Sequence, residues 1–315
     1  MIETYLPWII LIGHILLLLL IDFFVLHKKN EIVSVKKASY ETIFFIGNAL
    51  IFAGLIYWIY SAGMVSNPFD LSAGKAVITY LTGYMVELSL SVDNLFVIAV
   101  IFASFKIPAQ HQHRLLFLGI LGAIVFRALL IGLGLTLIEK VPYMHIVFGL
   151  ILLFTAFKML KNDEEPKVNE EPKGIAKVFR FSKVIDGNKF VTRVNDKRVF
   201  TALFGALVTI EFTDLLFALD SIPAILAITE DPFLVYSSNI FAIMGLRSLY
   251  FFLSNMLDRF KYLKYSVFVI LLFVAAKLMA AEQIHLPEWV SLLVIFIALG
   301  AGILYSINKS KATAP

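Results

Sequence analysis

The sequence predicts an all-α polytopic membrane protein with nine transmembrane helices. Of its 315 residues, 60% are hydrophobic and only 16% are charged, which is far outside the usage of soluble globular domains. The mean hydropathy is +0.86. The apolar residues gather into runs of about 20, the length that crosses ~30 Å of hydrocarbon as a helix. These observations together predict the fold class.

Nine apolar runs are long enough to span a bilayer. In chain order they cover residues 5–26, 39–61, 73–104, 112–137, 142–160, 199–228, 236–256, 262–281 and 287–307. The chain therefore divides into two N-terminal helices (1–61), a first three-helix unit (73–160), a loop (161–198), a second three-helix unit (199–281) and a ninth helix with its tail (287–315).

Lysine and arginine residues predict the orientation, because short cytoplasmic loops accumulate them. The connections after odd-numbered spans and the C-terminal tail are basic, whereas the opposite connections carry mostly aspartate and glutamate. The net charge of +4 is therefore an orientation signal and does not indicate a nucleic-acid partner. We expect an N-terminus on the periplasmic (outer) side of the membrane, a cytoplasmic C-terminus and a first span that is not a cleaved signal peptide.

The connection at 161–198 is the longest and begins with "EEPKVNEEPKG", which is too polar to fold alone. Further on, Asp186-Gly187-Asn188 lies between alternating residues and indicates the turn of a small hairpin. We interpret this connection as a solvated linker, with a regulatory domain as the alternative.

The two three-helix units repeat each other in sequence. "ILLFTAFKML" at 151–160 recurs as "ILLFVAAKLM" at 270–279, and "SVDN" and "VFRALL" match "ALDS" and "GLRSLY" in the same order. Spans 3–5 therefore repeat as spans 6–8. Because an offset of three spans reverses the direction of crossing, the repeat is inverted, as in many secondary transporters. It is also compatible with a purely structural bundle.

Seven ionisable side chains lie deep within the predicted spans. They are the carboxylates Glu87, Asp93, Glu211, Asp214 and Asp220 and the arginines Arg127 and Arg247. Left unpaired at helix centres, they would cost on the order of 20 kcal/mol, so they must face one another or water. Two arginines can balance only two of five carboxylates. A divalent cation and protons would supply the missing charge, which favours a cation site over a structural ion-pair lock.

Helical spacing predicts an oxygen-rich site. Glu87 and Asn94 share one helix face, and Glu211, Asp214 and Ser221 share another less tightly. The chain has no cysteine. Oxygen ligands without thiolates suit hard ions such as Mg²⁺, Ca²⁺ or Mn²⁺.

Several neighbouring residues allow further expectations. Asp93 and Asp220 lie about 120° round a regular helix from Glu87 and Asp214, so either a neighbouring helix completes the site or the helix unwinds. Pro223 favours unwinding of the sixth span beside Asp220, because proline cannot bond the carbonyl four residues earlier. Asn239 either bonds between helices or completes the metal shell, and Asp22 is either structural or associated with a gate. We interpret His111, in a cytoplasmic loop, as solvated.

The motifs "ELSLSVDN", "EFTDLLFALDSIPAILAITEDPF" and "SNIFAIMGLRSLYF" resemble signatures of the TerC family, and nearly the full chain resembles its Alx-like manganese exporters. The resemblance implies nine helices in a bacterial inner membrane and Mn²⁺ efflux, with links to alkaline pH and tellurite resistance. By position in the motifs, it points to Glu87, Asp93, Asn94, Glu211, Asp214, Asp220 and Ser221.

We therefore expect a non-enzymatic secondary transporter that exports Mn²⁺, or other divalent cations, by proton exchange at a midplane carboxylate site. It would hold no permanent cofactor, and its partners would be the metal ion, protons and the lipid bilayer. The alternative is a non-transporting scaffold that docks metal- or tellurite-stress proteins through the 161–198 connection. An intramembrane aspartyl protease is disfavoured, because the usual Gly-x-Gly-Asp context is absent.

Overall fold

The computed structural model describes residues 2–26, 34–161, 184–194, 197–254, 263–280 and 287–312. These residues are almost entirely helical. The elements are α1 (Ile2–Ile21) with a π-helical extension (Asp22–Leu26), α2 (Val35–Ser61), α3 (Ala73–Ser104), α4 (Ala109–Lys140), α5 (Met144–Lys161), β1 (Val191–Val194), β2 (Lys197–Phe200), α6 (Ala202–Leu226), α7 (Pro232–Met244), α8 (Leu246–Ser254), α9 (Leu263–Met279) and α10 (Glu288–Ala312).

Several helices have the length and composition of membrane spans. Among the described residues, five segments are long and apolar enough to cross a bilayer: Tyr5–Phe24, Val35–Ser61, Ala109–Lys140, Ala202–Leu226 and Trp289–Ser306. Large apolar side chains also point outward, with Leu129, Phe154 and Phe296 each about two-thirds exposed. Such a surface suits lipid and not water. The prediction of an all-α membrane protein is confirmed.

Helices of the two predicted three-helix units pack against one another. α3 lies against α7 and α4 lies against α6, while α5 runs alongside α9. α2 covers α3 and α8, and α10 covers α3 and α9. At the other end of the chain α1 contacts α7, where the Trp8 ring meets Phe233 edge-on at 5.4 Å. Glu87 on α3, Arg127 on α4 and Asp214 on α6 are therefore enclosed by other helices.

Polar side chains begin four of the helices. Ser34, Ser72, Thr201 and Asp231 each accept a hydrogen bond from a backbone N–H in the first turn of α2, α3, α6 and α7. Asp231 also accepts a bond of 2.7 Å from the hydroxyl of Tyr60, which joins the start of α7 to the end of α2.

The paths of two predicted spans differ from expectation. The prediction that the sixth span unwinds beside Asp220 is wrong: α6 continues to Leu226 through Pro223. Because Pro223 lies in the last turn, it removes one hydrogen bond without dividing the helix. The predicted seventh span is instead divided into α7 and α8 at Gly245, a residue type that disfavours helix interiors.

A two-stranded hairpin precedes α6. β1 and β2 pair antiparallel, with Arg193 opposite Arg198. The predicted turn at Asp186-Gly187-Asn188 is present, closed by a bond of 3.0 Å from the Lys189 N–H to the Asp186 carbonyl. It lies before β1, however, and does not connect the two strands. The prediction of its position in the hairpin is therefore wrong.

The turn before β1 is held against the start of α4. His111 is only 7% exposed, and its Nδ1 lies 3.0 Å from Asn188 Oδ1. Arg114 donates to the Asn188 carbonyl and lies 4.9 Å above the Phe190 ring. The prediction that His111 is solvated is wrong, because a segment distant in sequence covers it.

Candidate cation-binding site

A buried arginine occupies the centre of the charged cluster. Arg127, on α4, has no exposed surface. Its guanidinium donates to Asp214 on α6 at 3.0 and 3.4 Å, and to the Ser221 hydroxyl at 3.2 Å. The same group forms an ion pair with Glu87 on α3. One guanidinium therefore joins three helices and contacts one acid from each predicted three-helix unit.

Glu87 is held from three sides. Besides Arg127, its carboxylate accepts a hydrogen bond from the Ser91 hydroxyl at 3.2 Å and from the Asn239 amide at 2.9 Å. Glu87 is 1% exposed and Asn239 is fully buried. Buried charges persist only when paired and hydrogen-bonded, and these contacts meet that need at Glu87.

The second buried arginine has a partner outside both predicted three-helix units. Arg247, on α8, forms an ion pair with Asp22 at the start of the π-helical segment. Its guanidinium also lies 5.9 Å from the centre of the Phe117 ring. Asp22 therefore belongs to the charged cluster, although the sequence did not decide its role. The available signal was the position of a carboxylate within an apolar span.

A cavity of about 40 Å³ lies between Asp214 and Arg247 in this cluster. Its polar lining comes from Asn94, Asp214 and Arg247, together with Thr213. The rest of the wall is apolar, including Ile98 and other residues of α3, α4 and α6. A polar patch in an apolar wall is typical of a site for a small polar guest.

The remaining carboxylates of α6 have different surroundings. The Glu211 carboxylate lies over Gly122, where an added Cβ would be 2.1 Å from Oε1. Its Oε2 is buried without a hydrogen-bond partner among the described residues. Asp220 instead accepts a bond of 2.6 Å from the Thr155 hydroxyl on α5, with Lys158 near enough to interact electrostatically.

The predicted metal ligands are thus only partly gathered. The structure brings Glu87, Asp214 and Ser221 together at Arg127, and Asn94 lines the adjacent cavity. Asp93 belongs to α3, but its side chain lies outside the described part of the structure. Within the described part, no group of three or more histidine and carboxylate side chains is close enough to hold a metal ion.

Charge balance still leaves the cluster anionic. Among the described residues, the carboxylates of this cluster and of its surroundings on α6 are Asp22, Glu87, Glu211, Asp214 and Asp220. Five carboxylates against Arg127, Arg247 and Lys158, which interacts with Asp220, leave an excess of two negative charges if all are ionised. A bilayer interior penalises such an excess, so the cluster is suited to attract cations.

The fold and the cluster define a class: a polytopic integral membrane protein with buried, mostly anionic polar groups between its helices. The model of the integral membrane protein TerC family matches residues 72–314. The chain belongs to this family.

Full-length relatives agree with this assignment. An uncharacterized membrane protein of Rickettsia felis is 40% identical over 307 residues, covering 96% of this chain and 98% of its own. One from Myxococcus xanthus is 38% identical over 310 residues, 96% of this chain and 92% of its own. The Escherichia coli K12 protein named "Putative membrane-bound redox modulator Alx" is 38% identical over 266 residues, 84% of this chain and 82% of its own. No solved structure matches the chain.

Proposed function

We propose that this protein is a secondary transporter that exports Mn²⁺, and other divalent cations of similar ligand preference, in exchange for protons. The observation that carries the proposal is the excess of these carboxylates over the basic side chains Arg127, Arg247 and Lys158. A doubly positive ion offsets that excess, and protons offset it when the ion leaves.

Glu87 and Asp214 are the proposed central ligands, because one guanidinium already bridges them. A divalent cation would compete with Arg127 for both carboxylates. Asn94 and Ser221 lie close enough to contribute neutral oxygens. An all-oxygen set of this kind suits Mn²⁺. Asp93, Glu211 and Asp220 complete the proposed set. Among the described side chains, no arginine forms an ion pair with Glu211 or Asp220.

Nine spans with an inverted repeat form the proposed architecture. Helix packing supports it. In an inverted repeat, span 3 (α3) is equivalent to span 6 (α6), and span 4 (α4) is equivalent to span 7 (α7 and α8). The α3–α7 contact is therefore equivalent to the α6–α4 contact, and both are present. Spans 5 and 8 (α5 and α9) are equivalent to each other, and they also lie side by side. The bacterial relatives and the basic odd-to-even loops support an inner-membrane location with the N-terminus outside.

The name of the Escherichia coli relative refers to redox modulation. This chain has no cysteine, so its own residues offer no thiol for disulfide exchange. We propose that any redox effect of this chain acts through the metal ion that it moves.

Metal flux in proteoliposomes tests the function. The purified protein is reconstituted with a Mn²⁺-sensitive dye inside, and flux is compared under two opposite pH gradients. We expect wild-type flux above that of empty liposomes and loss of flux in Asp214→Asn. The matched control is Asp70→Asn, an exposed loop residue, which should retain flux. Equal fluxes in wild type and Asp214→Asn would contradict the proposal.

A further inference from the structure

Two arginines at equivalent positions of the repeat have unequal partners. Arg127 contacts Glu87 and Asp214, which are the equivalent acids of the two units. Arg247, the counterpart of Arg127, instead contacts Asp22 on the first helix, outside both units. Among the described side chains, the two arginines therefore form different ion pairs.

Arg247 nevertheless lies near Asp214, the carboxylate that Arg127 binds. Arg247 and Asp214 line the same small cavity, with Asn94 beside them. Asp214 is 15% exposed, whereas Glu87 is 1% exposed. Asp214 is therefore the acid that Arg247 could reach by moving into the cavity.

Both members of the Asp22–Arg247 pair lie where a helix departs from regular geometry. Asp22 is the first residue of the π-helical segment, and Arg247 is the second residue of α8, directly after the break at Gly245. Arg127, by contrast, lies inside the unbroken 32-residue helix α4. Irregular helical segments and breaks are common places for rearrangement. The pair is thus built at two such points.

We propose that Asp22 is a latch that holds Arg247 away from Asp214, and that in the opposite-facing state Arg247 replaces Arg127 at Asp214. This inference rests on the proposed transport function and names the residues that change partners. When an inverted-repeat transporter alternates, one unit moves against the other around the site. The ion pair that Arg127 forms in this state is then formed by Arg247 in the opposite-facing state. During the exchange, the carboxylates become available to the divalent cation.

A charge swap separates a latch from a static ion pair. Asp22→Arg and Arg247→Asp are made singly and together in the full chain. If the pair only holds helices together, the double variant restores both stability and Mn²⁺ flux. If Arg247 must later meet Asp214, the double variant restores stability but its flux stays at the level of the single variants, because an aspartate then faces Asp214. Recovery of wild-type flux by the double variant would overturn the latch.

Thiol labelling gives a second test that needs no metal flux and no swapped charges. The chain has no cysteine, so Ile98→Cys introduces a single reporter in the cavity wall. In this background, Asp22→Asn weakens the latch and Asp22→Glu keeps its charge. We expect Asp22→Asn to slow maleimide labelling of the purified protein by about tenfold, a typical size for a two-state bias, as Arg247 enters the cavity. The Asp22→Glu variant should label like the reporter alone.

Equal labelling of the asparagine and glutamate variants would contradict the latch. The two proposals also fail separately. Absence of metal flux in the wild type contradicts the transport function, whereas the labelling comparison still decides whether Asp22 controls the position of Arg247.

Discussion

The side-chain amide of Asn239 donates a hydrogen bond of 2.9 Å to Glu87, so that α7 holds the central carboxylate of α3. Asn239→Ala would remove this donor and leave a buried carboxylate oxygen without it. We expect a loss of about 1–3 kcal/mol in the free energy of unfolding, the usual cost of an unsatisfied buried group, and weaker Mn²⁺ binding. Thermal unfolding and calorimetric titration in detergent measure the two effects.

Ser238→Ala is the matched control for Asn239→Ala. The Ser238 hydroxyl bonds to backbone carbonyls of its own helix, at 2.7 Å for Leu234. Its loss should change the unfolding midpoint little. If both variants behave alike, the effect at Asn239 does not come from Glu87.

Gly122 gives the Glu211 carboxylate its space. In Gly122→Ala the new Cβ would lie 2.1 Å from Glu211 Oε1, so the carboxylate must move. We expect Mn²⁺ flux to fall severalfold without a large loss of stability, because the displaced group is the end of a flexible side chain. Adding Glu211→Asp, which shortens the acid, should recover part of the flux.

Gly54→Ala provides the comparison for a glycine in open space, since nothing lies within 4 Å of its added Cβ. This variant should keep its flux. A Gly122→Ala protein with normal flux would show that the position of Glu211 does not matter for transport.

The Thr155 hydroxyl donates to Asp220 at 2.6 Å and links α5 to α6. Thr155→Val keeps the shape of the side chain but removes the donor. We expect a loss of about 1–3 kcal/mol in the free energy of unfolding, whereas Thr155→Ser should lose much less because it keeps the hydroxyl. Urea or heat titrations of the purified variants test this order, and equal losses would assign the effect to packing.

Burial raises the pKa of Asp231 above its usual range, although bonds from the Tyr60 hydroxyl and from backbone N–H groups act in the opposite direction. A carboxyl group with a raised pKa in the folded state stabilises the fold most when protonated. That contribution is lost as the pH rises from about 4, the unfolded value, through the folded pKa. The wild type should therefore gain stability relative to Asp231→Asn as the pH falls through this window.

Unfolding midpoints measured between about pH 4 and 7 check the Asp231 prediction, with exposed Asp70→Asn as the control. A difference between wild type and Asp231→Asn that stays constant across the window, or that grows toward neutral pH, would contradict it.

The buried cluster was partly predictable, because charges inside apolar runs have few alternatives to pairing. This argument found Glu87, Arg127 and Asp214, which do meet. It could not choose between Asp22 and the other carboxylates as the partner of Arg247, since that choice depends on how α1 lies against the bundle. The same limit applies to Thr155, because a threonine in an apolar helix usually bonds its own backbone.

Local signals were interpreted less well where tertiary contacts compete with them. Pro223 is a strong helix breaker, yet its position near the end of α6 makes it tolerable. Asp186-Gly187-Asn188 does form a turn, but the strands that follow pair with each other beyond it. His111 was predicted to be solvated, and only the fold of a later segment over α4 buries it.

The small hairpin before α6 is fastened at its base. The Thr201 hydroxyl donates to the Lys189 carbonyl at 2.8 Å, while Arg114 on α4 holds the carbonyl of Asn188. An antibody fragment that binds this hairpin would consequently be attached rigidly to the helices beneath it. It would supply the rigid external feature that image alignment needs for so small a membrane protein.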